Sequence, residues 1–362
     1  MSLTPRQLEL FEKYTQIDGI AGQEEAVHGQ LRRAYTELGL EIIEDHLGSI
    51  VGRKKTKTKN PLKVMVVAHM DEVGFMVTEI TKNGMLKCDP VGGVNPQTLL
   101  SSRVRLKIGK DQFLHGSIDA IPPHLMKEED RTRPVQVKEM LFDFGFTTDE
   151  EAKKTGVKIG QMIVVEGSLR VLNNGKRILS KAFDNRYGVV LGLDILEALQ
   201  DEELPIDLYV GATVQEEVGV RGAMTLTHKI QPDFAIVLDC SPARDSTGSK
   251  TELGQLGEGI LLRYFDRSMI AFPELIDYQL KAAQATGVKY QYFDSPGGTD
   301  AGAIHLKHAG VLTLTHCICA RNIHTCSSII DVEDYLAAKK TLLYMLRDLN
   351  RDKFEAFLQE RR

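Results

Sequence analysis

Two adjacent glutamates, Glu216 and Glu217, close the apolar run "DLYVGATVQ" and give way at once to glycines. Neighbouring carboxylates repel unless a proton, a cation or a metal ion lies between them. A buried strand therefore has no packing reason to end this way. Residues of the same chemistry follow other apolar runs. "VVAHMDE" sets His69 and Asp71 two apart on an expected strand, hence on one face. "SKAFDNRYG" carries Asp184 into an expected helix, "VLDCS" brings Asp239 to the end of a strand, and "ARNIHTCSS" places His324 just past a late one.

Taken singly, each has a bland reading. A lone histidine is usually a packed or surface residue, an aspartate after a strand is often the N-cap of the next helix, and paired glutamates usually face solvent. As a set at the mouth of one sheet, where open α/β folds bind ligands, they have the chemistry of a two-metal centre. Two histidines and three carboxylates can hold two divalent ions if one carboxylate bridges. Ions about 3.5–4 Å apart can share an activated water and clamp a tetrahedral centre. The formal charges balance, two dications against Asp184, Glu216, Glu217 and Asp239. Asp71 could accept the other ring N–H of His69 and fix its tautomer. One glutamate would then be a ligand, and its neighbour a general base.

These residues need a sheet to converge. "LKVMVVAH", "IDLYVGATVQ", "FAIVLDCS" and "GVLTLTHCI" read as near-continuous apolar strands, alternating with helices such as "RYGVVLGLDILEALQ" and "PELIDYQLKAAQATG". That pattern predicts an α/β fold, with a mixed, mostly parallel sheet flanked by helices. Residues 73–175 differ, with short runs at turn-rich spacing and one helical patch at "TTDEEAKKTG". They read as a small β-rich, barrel-like module, inserted into a discontinuous catalytic domain of 1–72 plus 176–362.

The 362 residues are 42% hydrophobic and 26% charged, with net charge −5. No basic stripe interleaved with aromatics suggests nucleic acid. The cluster "GRKKTKTKN" reads as a loop tip. No run approaches the ~18 apolar residues of a membrane span, and the N-terminus, with Thr4 and Pro5 opening an amphipathic helix, lacks the pattern of a signal peptide. Five scattered cysteines fit a reducing, cytoplasmic setting.

The chain resembles the M42 family of metallo-aminopeptidases, and within it the glutamyl aminopeptidase branch. The resemblance runs nearly end to end through "AHMDEVGFMV", "PPHL", "DFGFTTDEEAKKTGVKIG", "KAFDNR", "QEEVGVRGA", "DCSP", "GGTDAGAIH" and "ARNIH". It implies a peptidase-type fold with an inserted dimerisation domain. It also implies two divalent ions per subunit, one on His69, Asp184 and Asp239 and the other on Asp184, Glu217 and His324. Zinc, cobalt and manganese all suit such donors. Glu216 would be the general base and Asp71 would orient His69. Short peptides would be the substrates, dimers the assembly unit, and a tetrahedral dodecamer the shell. An acidic preference needs a cation in the substrate pocket, for which Arg263 and Arg321 are candidates. Two positions depart from the family pattern, Ala21-Gly22 and the run Asn322-Ile323-His324-Thr325, and the second adjoins the substrate pocket. Alternatives are a broad or leucyl-type aminopeptidase, a metal-dependent deacylase or carboxypeptidase, and an endoglucanase-like glycosidase.

Overall fold

Strands with no polar face must be covered on both sides. In the computed structural model, which describes residues 2–128 and 133–360, all eight residues of the strand Ile206–Thr213 are buried. It lies parallel to Leu62–His69, and the two end level, Thr213 opposite His69. Phe234–Pro242 runs parallel on the other side of Leu62–His69, followed by Leu312–Arg321. Antiparallel strands complete the sheet: Glu41–Glu44 and Ile50–Lys54 at one end; Ser328–Asp331, Arg177–Ser180 and Arg170–Leu172 at the other. Ile260–Asp266 and Tyr290–Ser295 branch from Leu312–Arg321, making eleven strands.

The helix Phe183–Ala198 packs on the three central strands, and against it lie Pro5–Gln16 and Val332–Asp348. The expected capping of the first helix is present: the Thr4 hydroxyl accepts from Gln7 N–H, and the Gln7 side chain accepts from Thr4 N–H.

Between these parts the chain forms a closed six-stranded antiparallel barrel. Around it run Gly74–Ile80, Leu86–Val91, Phe142–Asp143, Gln112–Ile118, Arg103–Gly109 and Met162–Val165. The barrel has its own core, with Phe75 and Phe142 edge to face at 5.0 Å. Its last strand ends at Val165, whereas Arg170–Leu172, inside the 73–175 segment, pairs with Arg177–Ser180 in the large sheet.

A buried ionic cluster lies where the two parts meet. Lys181 Nζ stands 2.7 and 2.6 Å from the two Glu72 oxygens. Arg186, fully buried, donates to the carbonyls of Met70, Tyr14 and Ile17, each at 2.7 Å. From the barrel, Arg105 makes a two-pronged pair with Asp18 at 2.7 and 2.6 Å. Buried charges are costly unless each finds partners, and here they do. In sequence, Glu72 follows Asp71, and Lys181 and Arg186 bracket Asp184.

Candidate active site

The strand Leu62–His69 stops at His69, so Asp71 lies beyond it and not two residues along the same strand. Its carboxylate also has a task beyond the one expected. Oδ1 accepts from Glu216 N–H at 3.0 Å and Oδ2 from Glu217 N–H at 3.1 Å. It is the main-chain carbonyl of Asp71 that meets His69 Nδ1, at 3.0 Å, while Oδ1 is 3.6 Å away. A carbonyl only accepts, so in neutral His69 the proton sits on Nδ1 and the Nε2 lone pair faces the site.

Glu216 and Glu217 likewise lie past the end of their strand. The chain turns at Gln215, φ +56, whose N–H donates to the buried Glu24 carboxylate at 3.1 Å. The two glutamates thus occupy a turn held from beneath by Glu24 and Asp71. Asp184 is not an N-cap; it sits in an irregular first turn with non-helical backbone at Asp184 and Asn185. The Asn185 amide anchors that turn by donating to Leu238 O at 2.8 Å. Asp239 is inside Phe234–Pro242, two residues past Val237, which is level with Val67. His324 lies in the loop after Leu312–Arg321 with φ +61.

These side chains converge on Asp184. Its Oδ1 is 3.1 Å from His69 Nε2, and its Oδ2 is 3.1 Å from His324 Nε2. Asp239 Oδ1 stands 3.9 Å from His69 Nε2, and Glu217 Oε1 is 3.2 Å from His324 Nε2. Three groups have donor atoms within 4.8 Å of one another: the two triads that share Asp184, His69–Asp184–Asp239 and Asp184–Glu217–His324, and a third, His69–Glu216–Glu217, that spans them. Glu216 Oε2 lies beside the two triads, 3.9 Å from His69 Nε2.

The electrostatics show how crowded the cluster is. Burial pushes the Glu216 carboxyl well above its ordinary pKa; His69 opposes this, and Asp239, Asp300 and Glu217 add repulsion. Burial and then Asp184 raise Asp239 to about 8. Glu217 is also raised, chiefly by burial. Asp184 moves down, because the hydrogen bonds to His324 and His69 outweigh its burial. Burial disfavours charge on His324, yet Asp184 and Glu217 override it and raise the imidazole to about 11. His69 rises in the same way, burial being overridden by Glu216, Asp184 and Asp71. Carboxylates packed this closely need positive charge between them. Mixed imidazole and carboxylate donors suit divalent cations, and Glu217 Oε1 is buried without a well-directed hydrogen bond. The residues present fit such ions.

The cluster opens into a cavity of about 800 Å³ lined also by Val220, Met224, Ser268, Ser295–Thr299 and Leu306. Arg263 is on its wall, but its guanidinium is committed: Nε to Asp266 at 3.0 Å, Nη1 to Ser241 Oγ at 3.2 Å and Nη2 to Gly297 O at 2.6 Å. Arg321 is outside the lining, paired through both Nε and Nη2 with Asp245. Sequence reasoning missed Glu24, Gly93 and Asp300. Asp300 is buried, bonded to Thr213 Oγ1 through Oδ2, with no hydrogen-bond partner for Oδ1 among the described residues. The unusual density of "GGTDAG" was its one signal.

A helix-covered mixed sheet with paired histidine–carboxylate triads at its mouth and a barrel inserted beside them has the layout of a hydrolase. A family model for the M42 glutamyl aminopeptidases matches residues 48–341. The chain belongs to the M42 peptidase family and is a peptide hydrolase. The glutamyl aminopeptidase of Lactococcus lactis subsp. cremoris is 39% identical over 350 residues, spanning 96% of this chain and 98% of that protein. The lysyl aminopeptidase of Pyrococcus furiosus is 28% identical over 345 residues, 94% and 97% of the respective chains. Among solved structures, a TET aminopeptidase from a marine-sediment Thaumarchaeota archaeon superposes with TM-score 0.93 at 33% identity, over 98% of this chain and 100% of that one. The Pyrococcus horikoshii TET1 peptidase, described as assembling into a tetrahedron or a large octahedral shell, gives 0.85 at 28%, over 95% and 100%. No helix among the described residues is long and apolar enough to cross a membrane.

Proposed function

We propose that this chain removes single residues from the N-termini of short peptides at a centre of two divalent ions, with a preference for acidic N-terminal residues. One observation carries the reading: a single carboxylate, Asp184, is shared between two histidine–carboxylate triads, each with its own histidine and second carboxylate, so that Glu216 is not needed to complete either. His69, Asp184 and Asp239 would hold one ion, and Asp184, Glu217 and His324 the other, with zinc, cobalt or manganese compatible. Such ions supply Lewis acidity toward a carbonyl and lower the pKa of water. The proton is Glu216's task. Its carboxylate, with Oε2 3.9 Å from His69 Nε2 beside the two triads, takes a proton from the attacking water on Oε2 and returns it to the leaving amine. Asp71 fixes both glutamates by their backbone N–H groups, and its carbonyl holds His69.

The acidic preference draws on the glutamyl relative and on Arg263, the one lysine or arginine on the cavity wall among the described residues. Asp266 offsets part of that charge, and the lysyl relative marks the alternative outcome. Self-association, by extension from the shell-forming relative, would use the barrel, where Leu100, Ile121, Leu125 and Ile159 are exposed. The five free cysteines fit a reducing cytoplasm.

The test is hydrolysis of glutamyl-, aspartyl-, leucyl- and lysyl-p-nitroanilides with an N-acetylated control, before and after chelation and metal reloading. Free-amine acidic substrates should lead, lose turnover to chelator and regain it with metal. Turnover indifferent to chelator would overturn the metal centre; a leucyl or lysyl lead would overturn the specificity alone.

A further inference from the structure

Beyond the barrel strand Leu86–Val91, the chain reaches into the cluster. The carbonyl oxygen of Gly93 meets His324 Nδ1 in a hydrogen bond spanning 231 positions of sequence. As with His69, a partner that can only accept fixes the proton on Nδ1 and leaves Nε2 for the triad. Gly92, at φ +83, has no room for a side chain. A Cβ there would stand 2.8 Å from Val73 Cγ1, 3.1 Å from Glu217 Cβ and 3.2 Å from Glu217 Oε2. One loop of the insert therefore touches both non-shared members of the second triad. The first triad takes its orientation elsewhere: His69 from the Asp71 carbonyl, and Asp239 from the Cys240 N–H at 2.6 Å.

We propose that Gly92 and Gly93 are positioning residues for one half of the metal centre. The Gly93 carbonyl selects the tautomer of His324, and the bare α-carbon of Gly92 lets the loop close on Glu217. Divalent-ion affinity at Glu217–His324 therefore depends on the barrel loop, and affinity at His69–Asp239 does not. This rests on the metal-binding reading above. Partners that orient a ligating histidine are worth roughly 10–100-fold in metal affinity, and that is the size of effect expected at one position only.

Ion-free full-length protein would be titrated with cobalt, reading heat and visible absorption together, for wild type, Gly92→Ala and Gly145→Ala. Gly145 is the strain control: its φ is +82, and a Cβ there meets nothing within 4 Å. Wild type and Gly145→Ala should take two ions with equal affinity. Gly92→Ala should keep one at native affinity and bind the other roughly 10–100-fold more weakly, with the altered absorption confined to that step. Should Gly92→Ala prove insoluble, the pair Val73→Ala/Gly92→Ala removes the nearest contact, keeps the one to Glu217, and should give the same split. Two native affinities in the Gly92 variants, equal weakening of both ions, or the same loss in Gly145→Ala would each overturn the proposal. A wild type that binds no divalent ion would instead bring down the metal reading, and this inference with it.

Discussion

The two triads share Asp184 and the same logic of a histidine turned by a main-chain carbonyl, yet they are built from different material. His69 ends one central strand and Asp239 sits within its neighbour, both nearly inaccessible, at 2% and 7% side-chain exposure. His324 rides a loop residue at positive φ, 27% exposed, and Glu217 sits on a turn, though its side chain is as buried as that of Asp239, at 6%. Strand-borne donors inherit rigidity from the ladder on either side. Loop-borne donors must borrow it, here from Asp71, Glu24 and Gly93. Rigid elements make the more exact sites, and the softer half of this one is made exact by long-range contacts.

The comparison fails most completely where the halves join. Asp184→Ala should abolish binding of both ions and take peptidase activity to background, a larger loss than any other single change; metal analysis retaining one full equivalent would show that the bridge is not shared. Glu216→Gln should keep both ions while kcat falls roughly 10²–10⁴-fold. Activity within about threefold of wild type would remove Glu216 as base. Asp71→Asn tests the borrowed support. It weakens acceptance from the Glu216 and Glu217 N–H groups but spares the carbonyl on His69, so the ion at Glu217–His324 should weaken by roughly 10–100-fold and the ion at His69–Asp239 should stay. Equal weakening would mean that the carboxylate serves His69 after all.

His316 sharpens the contrast as a histidine with no part in the centre. It too meets a carbonyl, Ala338 O at 2.8 Å, but its Nδ1 accepts from Gln279 at 2.9 Å instead of facing carboxylates. Burial lowers its pKa from 6.5 to about 4. Between those values the His316 imidazole binds more protons in the unfolded chain than in the folded one, so its contribution to stability is full above 6.5 and falls as pH drops toward about 4. The loss is about 3 kcal/mol. Buried carboxyls such as Asp239 and Glu24, whose pKa is raised, gain stability on acidification over the same range, so the readout is the difference between ion-free wild type and His316→Gln: urea unfolding at pH 4.5 and 7 should show the wild type losing stability relative to the variant as pH falls. An unchanged difference would assign the acid sensitivity elsewhere.

How much of this was legible follows from range. Apolar runs such as "LKVMVVAH" and "FAIVLDCS" have only one burial solution, so the central strands and the placement of His69 and Asp239 near their ends could be read directly. The barrel was visible as short turn-bounded strands, though Arg170–Leu172 gave no local sign that it would join the larger sheet. The turn under Glu216 and Glu217 was not readable, because Glu24 and Asp71 hold it from far away in sequence. Arg263 stood out as a charge inside an apolar run, but nothing nearby announced that Asp266, Ser241 and Gly297 would share its guanidinium. Gly93 is the extreme case: a carbonyl has no side-chain signature, and its partner comes 231 positions later.

The insert begins within five residues of His69, and one of its loops returns to His324. Such a domain is not a detachable module. A chimera carrying a relative's barrel would have to import the Gly92–Gly93 corner in register, or it would assemble normally and yet handle metals differently. Under the proposed two-ion centre and barrel-borne assembly, grafting aimed at changing how subunits meet would also alter how the Glu217–His324 half holds its ion.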